Sequence, residues 1–329
     1  MHQGTGIHTH IEKSIAFIVL DRPDKFNALN LDLVTHFFEI FKELDENPHI
    51  HYIVIHSSSA HFSSGGDIKD AYLHYKDNKH FNNETFFKIE YALINKIYSS
   101  KKAISLVAGI AYGAGLAVAL ACRYSIFLEH ATGQTPEIKI AFYPDAGLSY
   151  FLWKGDRKFK GFALYFALHG SDISAYELEA AGLITGVVED FDIFAIKKAL
   201  MEQQPSNHGS LMEVIKPFLY PISLEKAQKL YHKVIPYQTL HLDDISTDLF
   251  KTSPLSLWAT YTHIAKTKDK TLRDVLSLDL CLSSIFLKTH DFFEGIRVRL
   301  IDRMDHPHFG DKLTPEIQEK IYKIYRSQI

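Results

Sequence analysis

Strand-like and helical runs alternate through the first 190 residues, and helical periodicity dominates the remainder of the chain, which predicts an α/β protein with a helical C-terminal region. Two of the strand-like runs lead into turns of small residues that open onto helical stretches, Ser63-Ser64-Gly65-Gly66-Asp67 and Gly113-Ala114-Gly115. The composition, 46% apolar and 23% charged over 329 residues, is that of a chain able to bury a full core.

The elements come in a clear order. Ser14 to Leu20 (SIAFIVL) is a β-rich run closed by Asp21-Arg22-Pro23. Leu31 to Glu46 carries Leu33, Val34, Phe37, Phe38, Ile40, Phe41 and Leu44 at helical spacing, with Asn30 placed to cap it. Tyr52 to His56 is a second strand, Phe81 to Tyr98 a long helix and Ala103 to Ala108 a third strand. A small-residue helix from Ala114 to Cys122 and a strand from Tyr124 to Leu128 complete the pattern. From about Phe159 the chain reads as helical, punctuated at Gly170, Gly182 and Pro254. Pro205 to Ser210 is the best candidate for a flexible junction, and a division into residues 1–190 and 191–329 is expected.

The totals exclude several function classes. A formal charge of -3, from 36 basic and 39 acidic residues, gives no field to recruit nucleic acid. No uncharged apolar run reaches membrane-spanning length, and the first residues carry no signal core or transit pattern, so a cytoplasmic protein is expected, or a matrix protein if a leader has been removed. Two cysteines, Cys122 and Cys281, make no disulfide scaffold and favour a reducing compartment. The 19 histidines include i, i+2 pairs at His8/His10, His49/His51 and His306/His308, but no neighbouring Cys or carboxylate completes a ligand set; surface and packing roles are expected, and no metal.

The residues that carry chemistry are the two glycine turns and a pair of carboxylates, Glu137 and Asp145, in TPEIKIAFYPDAGLSYF. Turns of this kind bring backbone N–H groups close to a ligand, and two N–H groups can polarise one carbonyl oxygen. Two neighbouring carboxylates can then handle protons or water beside it. Each feature alone is ordinary turn or capping chemistry. Their occurrence together, in this order, points to chemistry on an acyl carbonyl. Neither a Walker A loop nor a GxGxxG fingerprint is present.

LDRPDKFNALN, FSSGGDI, GIAYGAGLA, TPEIKIAFYPDAG, AAGLITGVV, SPLSLWATY and LSLDLCLSSIFLKTHDFFEGIRVRLIDR give the chain a resemblance to the crotonase (enoyl-CoA hydratase/isomerase) superfamily over residues 12 to 310. Within it the chain looks like the branch of 3-hydroxyisobutyryl-CoA hydrolases. That resemblance implies a crotonase (ClpP-like) fold, with a spiral of ββα units as core. It implies an acyl-CoA partner, no separate cofactor, and hydrolysis of a short β-hydroxyacyl-CoA thioester, with 3-hydroxyisobutyryl-CoA from valine breakdown as the first guess. Gly66 and Ala114 would supply the oxyanion N–H groups, and Glu137 and Asp145 would be the catalytic pair, with Glu137 favoured as base or nucleophile. Glu90, Asp67, Ile68, Phe26, Ala28 and Gly113 would contact substrate, the segment from Arg22 to Ala28 lying near the adenine and pantetheine.

The hydratases' first glutamate falls at Ala117, so hydration is expected to be poor. Two departures stand out. Position 114 is usually Gly, and the Gly run after the aspartate is here Ala146-Gly147-Leu148-Ser149. Many superfamily members form trimers or hexamers, which makes a homo-oligomer an open expectation. A hydratase or isomerase, and a non-catalytic CoA-binding protein, are the other two readings, and direct attack by Glu137 or activation of water are both open.

Overall fold

The computed structural model describes residues 6–77, 84–189, 192–202, 215–220, 224–241, 252–304, 306–310 and 312–327. The elements run β1 (Ile7–Glu12), β2 (Ile15–Leu20), α1 (Leu31–Glu46), β3 (Tyr52–Ser57), α2 (Ile68–Asp77), α3 (Glu84–Ser99), β4 (Ala103–Val107), β5 (Ile110–Tyr112), α4 (Ala114–Ala121), β6 (Tyr124–Leu128) and β7 (Thr132–Gln134). A 3-10 turn (Glu137–Ile140) precedes α5 (Leu148–Asp156), α6 (Phe162–His169), β8 (Ile173–Ser174), α7 (Ala175–Ala181), β9 (Gly186–Val188) and α8 (Asp192–Glu202). The C-terminal part adds α9 (Leu224–Val234), α10 (Pro254–Thr267), α11 (Leu272–Phe286), α12 (His290–Ile296), a π-helical turn (Arg297–Ile301) and α13 (Pro315–Ser327).

The strands form two sheets. The larger has the order β1-β2-β3-β4-β6-β9, parallel throughout except for the antiparallel β1–β2 edge. The smaller is β5-β7-β8. β4 enters the large sheet and β5 the small one before α4; β6 and β7 repeat the move. This is the expected spiral of ββα units. Parallel strands covered on both faces are continuous apolar runs, and every residue of β2 and β4 is buried accordingly. From residue 192 onward the described residues form helices and their connections only.

The predicted strands and helices are present, with ends shifted by a residue or so. Asn30 caps α1 as expected, its Oδ1 accepting from Leu33 N at 3.0 Å. Of the predicted helix Phe81 to Tyr98, residues 81–83 lie outside the described residues, as does the junction Pro205 to Ser210. β1 was not expected. Its sequence, IHTHIE, buries only Ile7; His10 stacks on Phe17 at 4.7 Å and His8 lies 3.6 Å from Asp21. Among the described residues no group of three or more His, Cys, Asp or Glu side chains could hold a metal ion. Neither cysteine is in a disulfide, and no described helix is long and apolar enough to cross a membrane.

The C-terminal helices close over the spiral core through an aromatic knot. Phe142 lies 5.0 Å from Phe292 of α12, 5.3 Å from Phe286 of α11 and 5.9 Å from Phe87 of α3. At its edge, α12 meets the backbone of the 3-10 turn at Gly295. A Cβ there would stand 2.6 Å from both the carbonyl carbon and oxygen of Ile140. Backbone on both sides cannot yield cheaply, so Gly295→Ala is expected to cost about 1–3 kcal/mol of stability in urea unfolding. A loss under about 0.5 kcal/mol, the range of ordinary surface changes, would mean that the contact is soft.

Candidate active site

The two glycine turns meet back to back. Ser63 bridges to Ala111, Tyr112 N donates to Ser63 O at 3.0 Å, and Leu29 bridges to Gly66. Gly65 has φ +92, and a Cβ on it would lie 2.8 Å from Tyr112 O and 3.4 Å from Ala114 N. Gly113 has φ 50 and ψ -125, a conformation that L side chains avoid. Gly115 packs directly on Ser63, with no room for a Cβ. The N–H groups of Gly66 and Ala114 donate to no backbone carbonyl among the described residues. Ala114 is the first residue of α4, where the first-turn N–H groups have no helical partner, and its φ is not positive. The alanine at position 114 therefore needs no left-handed backbone.

Both turns open on a cavity of about 220 Å³ that also receives Glu90, Glu137 and Asp145. Glu137 begins the 3-10 turn after Pro136, and its Oε1 stands where a Gly113 Cβ would come within 2.7 Å of it. Glu90 arrives from α3 and Asp145 from the turn before α5. All three are buried, at 2%, 7% and 5% exposure, and one oxygen each of Glu90 and Glu137 has no hydrogen-bond partner. Phe86, Phe87 and Phe142 supply the apolar wall.

Burial sets the charge states. Desolvation is the largest cause at each carboxyl, and neighbouring negative charge adds to it: Asp145 and Glu137 at Glu90, Asp145 at Glu137, and Asp279 at Asp145. Glu90 and Glu137 are pushed well above the ordinary carboxylate range. Asp145 rises to about 7, through burial and the charge of Asp279, and is held there by a 2.5 Å hydrogen bond from Tyr91 Oη and by its own backbone N–H. Both Glu137 and Asp145 are thus biased toward the protonated form, by burial first and by neighbouring negative charge second.

A second polar layer holds the Asp145 turn from below. Ala146 (φ 52) and Gly147 (φ 76) both adopt left-handed backbone, and Gly147 N donates to Asp279 Oδ2 at 2.8 Å. Asp279 Oδ1 lies 2.9 Å from His263 Nε2, a close contact without hydrogen-bond alignment. Ser149 Oγ is 3.1 Å from the same nitrogen, and Tyr325 Oη is 3.0 Å from His263 Nδ1. Ser and Asp share one ring nitrogen here, so this is a brace and not a nucleophilic triad. Leu148 and Ser149, which replace the expected glycines, open α5, and Ser149 ties the turn to α10 through His263.

Of the other anticipated residues, Ile68 and Gly113 line the cavity. Asp67, Phe26 and Ala28 do not; they belong to the adjoining segments, where Ser64 N donates to Phe26 O at 2.9 Å and Asp67 N to Leu29 O at 2.8 Å. Asp67 pairs with Arg22 at 3.2 Å, Arg22 also donates to Ala28 O, and Phe26, 52% exposed, lies against His61 at 5.3 Å. Ala117 is fully buried, its N–H bonded to Gly113 O at 3.0 Å, and it does not reach the cavity. Residues not anticipated are Tyr91, Asp279 and His263, and two cations in the cavity wall, Lys139 and Arg299.

A carboxyl whose pKa is raised by folding binds its proton more tightly in the native state, so it stabilises the fold at low pH and that contribution is lost as pH rises. For Asp145 the loss runs from about pH 4 to about pH 7. The melting temperature is expected to fall over that interval and to fall less in Asp145→Asn; equal slopes would rule out Asp145 as the titrating group. Gly113→Ala is expected to fold with reduced stability and a displaced Glu137, read as a loss of CoA-thioester affinity of at least tenfold by calorimetry.

Comparison with known proteins agrees with this architecture. Residues 15–325 match the family model described as enoyl-CoA hydratase/isomerase. The chain is 27% identical to "3-hydroxyisobutyryl-CoA hydrolase, mitochondrial" of Xenopus tropicalis, over 94% of this chain and 85% of the relative, and 26% identical to the Homo sapiens protein of the same name, over 92% and 83%. Among solved structures it superposes on a carnitinyl-CoA dehydratase from Mycobacterium thermoresistibile (TM-score 0.80, 21% identity, 97% and 96% of the two chains). It also superposes on an enoyl-CoA hydratase from Rhodobacter sphaeroides 2.4.1 (TM-score 0.76, 21% identity, 98% of both). These likenesses bear on the fold alone, and they are those of the crotonase fold. With the family model spanning nearly the whole chain, the protein belongs to the enoyl-CoA hydratase/isomerase family of the crotonase superfamily.

Proposed function

We propose that the protein hydrolyses a short acyl-CoA thioester, using Gly66 and Ala114 as oxyanion donors and Glu137 with Asp145 as a proton-sharing pair. The observation that carries this reading is the convergence of two unengaged backbone N–H groups and these carboxyls in one small cavity. The names of the relatives point the same way, and 3-hydroxyisobutyryl-CoA is the first substrate to try. Hydration is disfavoured by Ala117, which has no proton to move.

In this reading Asp145 acts as base and Glu137 as acid. The ionised Asp145 takes a proton from water as its oxygen bonds to the thioester carbon. Negative charge gathers on the carbonyl oxygen, facing the Gly66 and Ala114 N–H groups, each such donor being worth about 3–4 kcal/mol in the transition state. Collapse breaks the C–S bond, and the leaving thiolate takes the proton held by Glu137. The proton on Asp145 then passes to Glu137 and restores the pair. Direct attack by Glu137, through a mixed anhydride, would require the ionised form that burial and Asp145 oppose.

Thiol release from 3-hydroxyisobutyryl-CoA is expected to fall at least 100-fold in both Glu137→Gln and Asp145→Asn, with CoA affinity changed only a few-fold. Wild-type kcat/KM is expected to rise with pH to a midpoint near 7 and to decline when Glu137 ionises; Asp145→Asn would remove the acid limb. Turnover within threefold of wild type in both variants would end the hydrolase reading. Loss of crotonyl-CoA absorbance without thiol release would replace it with a hydratase.

A further inference from the structure

Asp145 lines the cavity together with Glu90 and Glu137, and two further groups reach it from behind the cavity wall. Tyr91 follows Glu90 on α3 but does not line the cavity; its hydroxyl donates to Asp145 Oδ2 at 2.5 Å. One helix thus presents Glu90 to the cavity and Tyr91 to the back of Asp145. Asp279 of α11 does not line the cavity either. Its backbone O accepts from Tyr143 Oη at 2.7 Å and its Oδ2 from Gly147 N at 2.8 Å, so it grips the chain on both sides of Asp145. Both residues are buried, and the Tyr91 ring is steadied by Phe87 at 5.8 Å.

We propose that Tyr91 and Asp279 are positioning residues of opposite effect, Tyr91 aiming the Asp145 carboxylate at the substrate and Asp279 holding the Asp145 turn while setting a second acidic group behind it. This rests on the proposed role of Asp145 as base and deepens it. A carboxyl with one oxygen held by a fixed donor is hindered from turning, so the direction of its other oxygen is set as well. Tyr91 stays a donor at working pH, because burial first and the charge of Asp145 second hold its phenol well above the ordinary range. A donated hydrogen bond favours the charged carboxylate, whereas a negative neighbour favours the protonated form, and Tyr91 and Asp279 pull Asp145 in these two directions. The other ionisable groups around Asp145 are Glu90 on α3, Glu137 on the 3-10 turn, Tyr143 in its own turn, and Lys139 and Arg299 in the cavity wall, with His263 behind Asp279. All of these are retained when Tyr91 or Asp279 is changed, so a shift between variants reports the changed group.

The test uses the full chain, thiol release from 3-hydroxyisobutyryl-CoA across pH, and two substitutions that keep shape. Tyr91→Phe removes only the hydroxyl, and Asp279→Asn removes the charge while keeping an acceptor for Gly147 N. Because neither side chain lines the cavity, both variants are expected to keep KM within about threefold, while Tyr91→Phe lowers kcat about tenfold or more. The acid limb of kcat/KM is expected to move to higher pH in Tyr91→Phe and to lower pH in Asp279→Asn, by about half a pH unit or more in each. A merely structural role would reduce the amount of folded enzyme and leave the limb where it is. Limbs that do not move, limbs that move in the same direction, or a kcat of Tyr91→Phe within about threefold of wild type would each overturn the proposal. If Asp279→Asn does not fold, the limb and kcat of Tyr91→Phe decide it alone. If wild type releases no thiol, the hydrolase reading fails on its own account. The positioning is then judged by infrared titration of the carboxyl band that Asp145→Asn removes: midpoints displaced upward in Tyr91→Phe and downward in Asp279→Asn sustain it, and equal midpoints overturn it.

Discussion

Loop 63–66 can lie against turn 112–115 only because positions 65, 113 and 115 carry no Cβ. At each of them an added carbon would stand within 3.0 Å of an atom of the opposite turn or of Glu137. The contact is stitched by Tyr112 N to Ser63 O, and Ser63 Oγ in turn donates to Asn27 O at 2.9 Å. From that fixed point the N–H groups of Gly66 and Ala114 take their direction. Glu137 then finds its place over Gly113, and the rim segment 22–29 is held through the Leu29–Gly66 bridge. A preorganised pair of donors needs rigid surroundings, because a loose donor loses in reorganisation what it gains in attraction.

The carboxyls impose the opposite demand. Glu90, Glu137 and Asp145 are buried close to one another without a neutralising cation among the causes of their shifts, which disfavours the folded state as they ionise. The structure offsets part of this with neutral hydrogen-bonding partners. Tyr91 donates to Asp145, and the brace of Asp279, His263, Ser149 and Tyr325 fixes the turn without placing a cation at Asp145. A lysine in the place of Tyr91 would be the simpler way to stabilise such a site, and it would also remove the raised pKa that proton transfer at neutral pH requires.

Much of the core was legible from the sequence because its signals are local. The apolar runs of β2 and β4, the periodicity of α1 and the small-residue turns each state their structure within a few positions. The same holds for the two glycine turns and the Glu137/Asp145 pair, whose joint occurrence pointed to one site. β1 was hidden because its exposed face alternates His, Thr and Glu and only Ile7 is buried. The small sheet was hidden because strands of two or three residues carry no periodicity. Asp279 and His263 reach the site across 132 and 114 residues, and nothing adjacent to either marks it as a partner of the Asp145 turn. Arg299 faces the cavity through the π turn, a geometry that a helical reading of 290–301 does not contain.

The aromatic knot at Phe142 and the seal at Gly295 mean that the cavity carboxyls are encoded early and enclosed late. During synthesis both glycine turns, Glu137 and Asp145 leave the ribosome well before α11, α12 and the Arg299 turn. Until those segments dock, water reaches the carboxyls, their protons are held no more tightly than on any surface acid, and the site has the residues of an enzyme without its proton chemistry. The raised proton affinity of these carboxyls is therefore a property of the finished chain, supplied by the same closure that completes the fold.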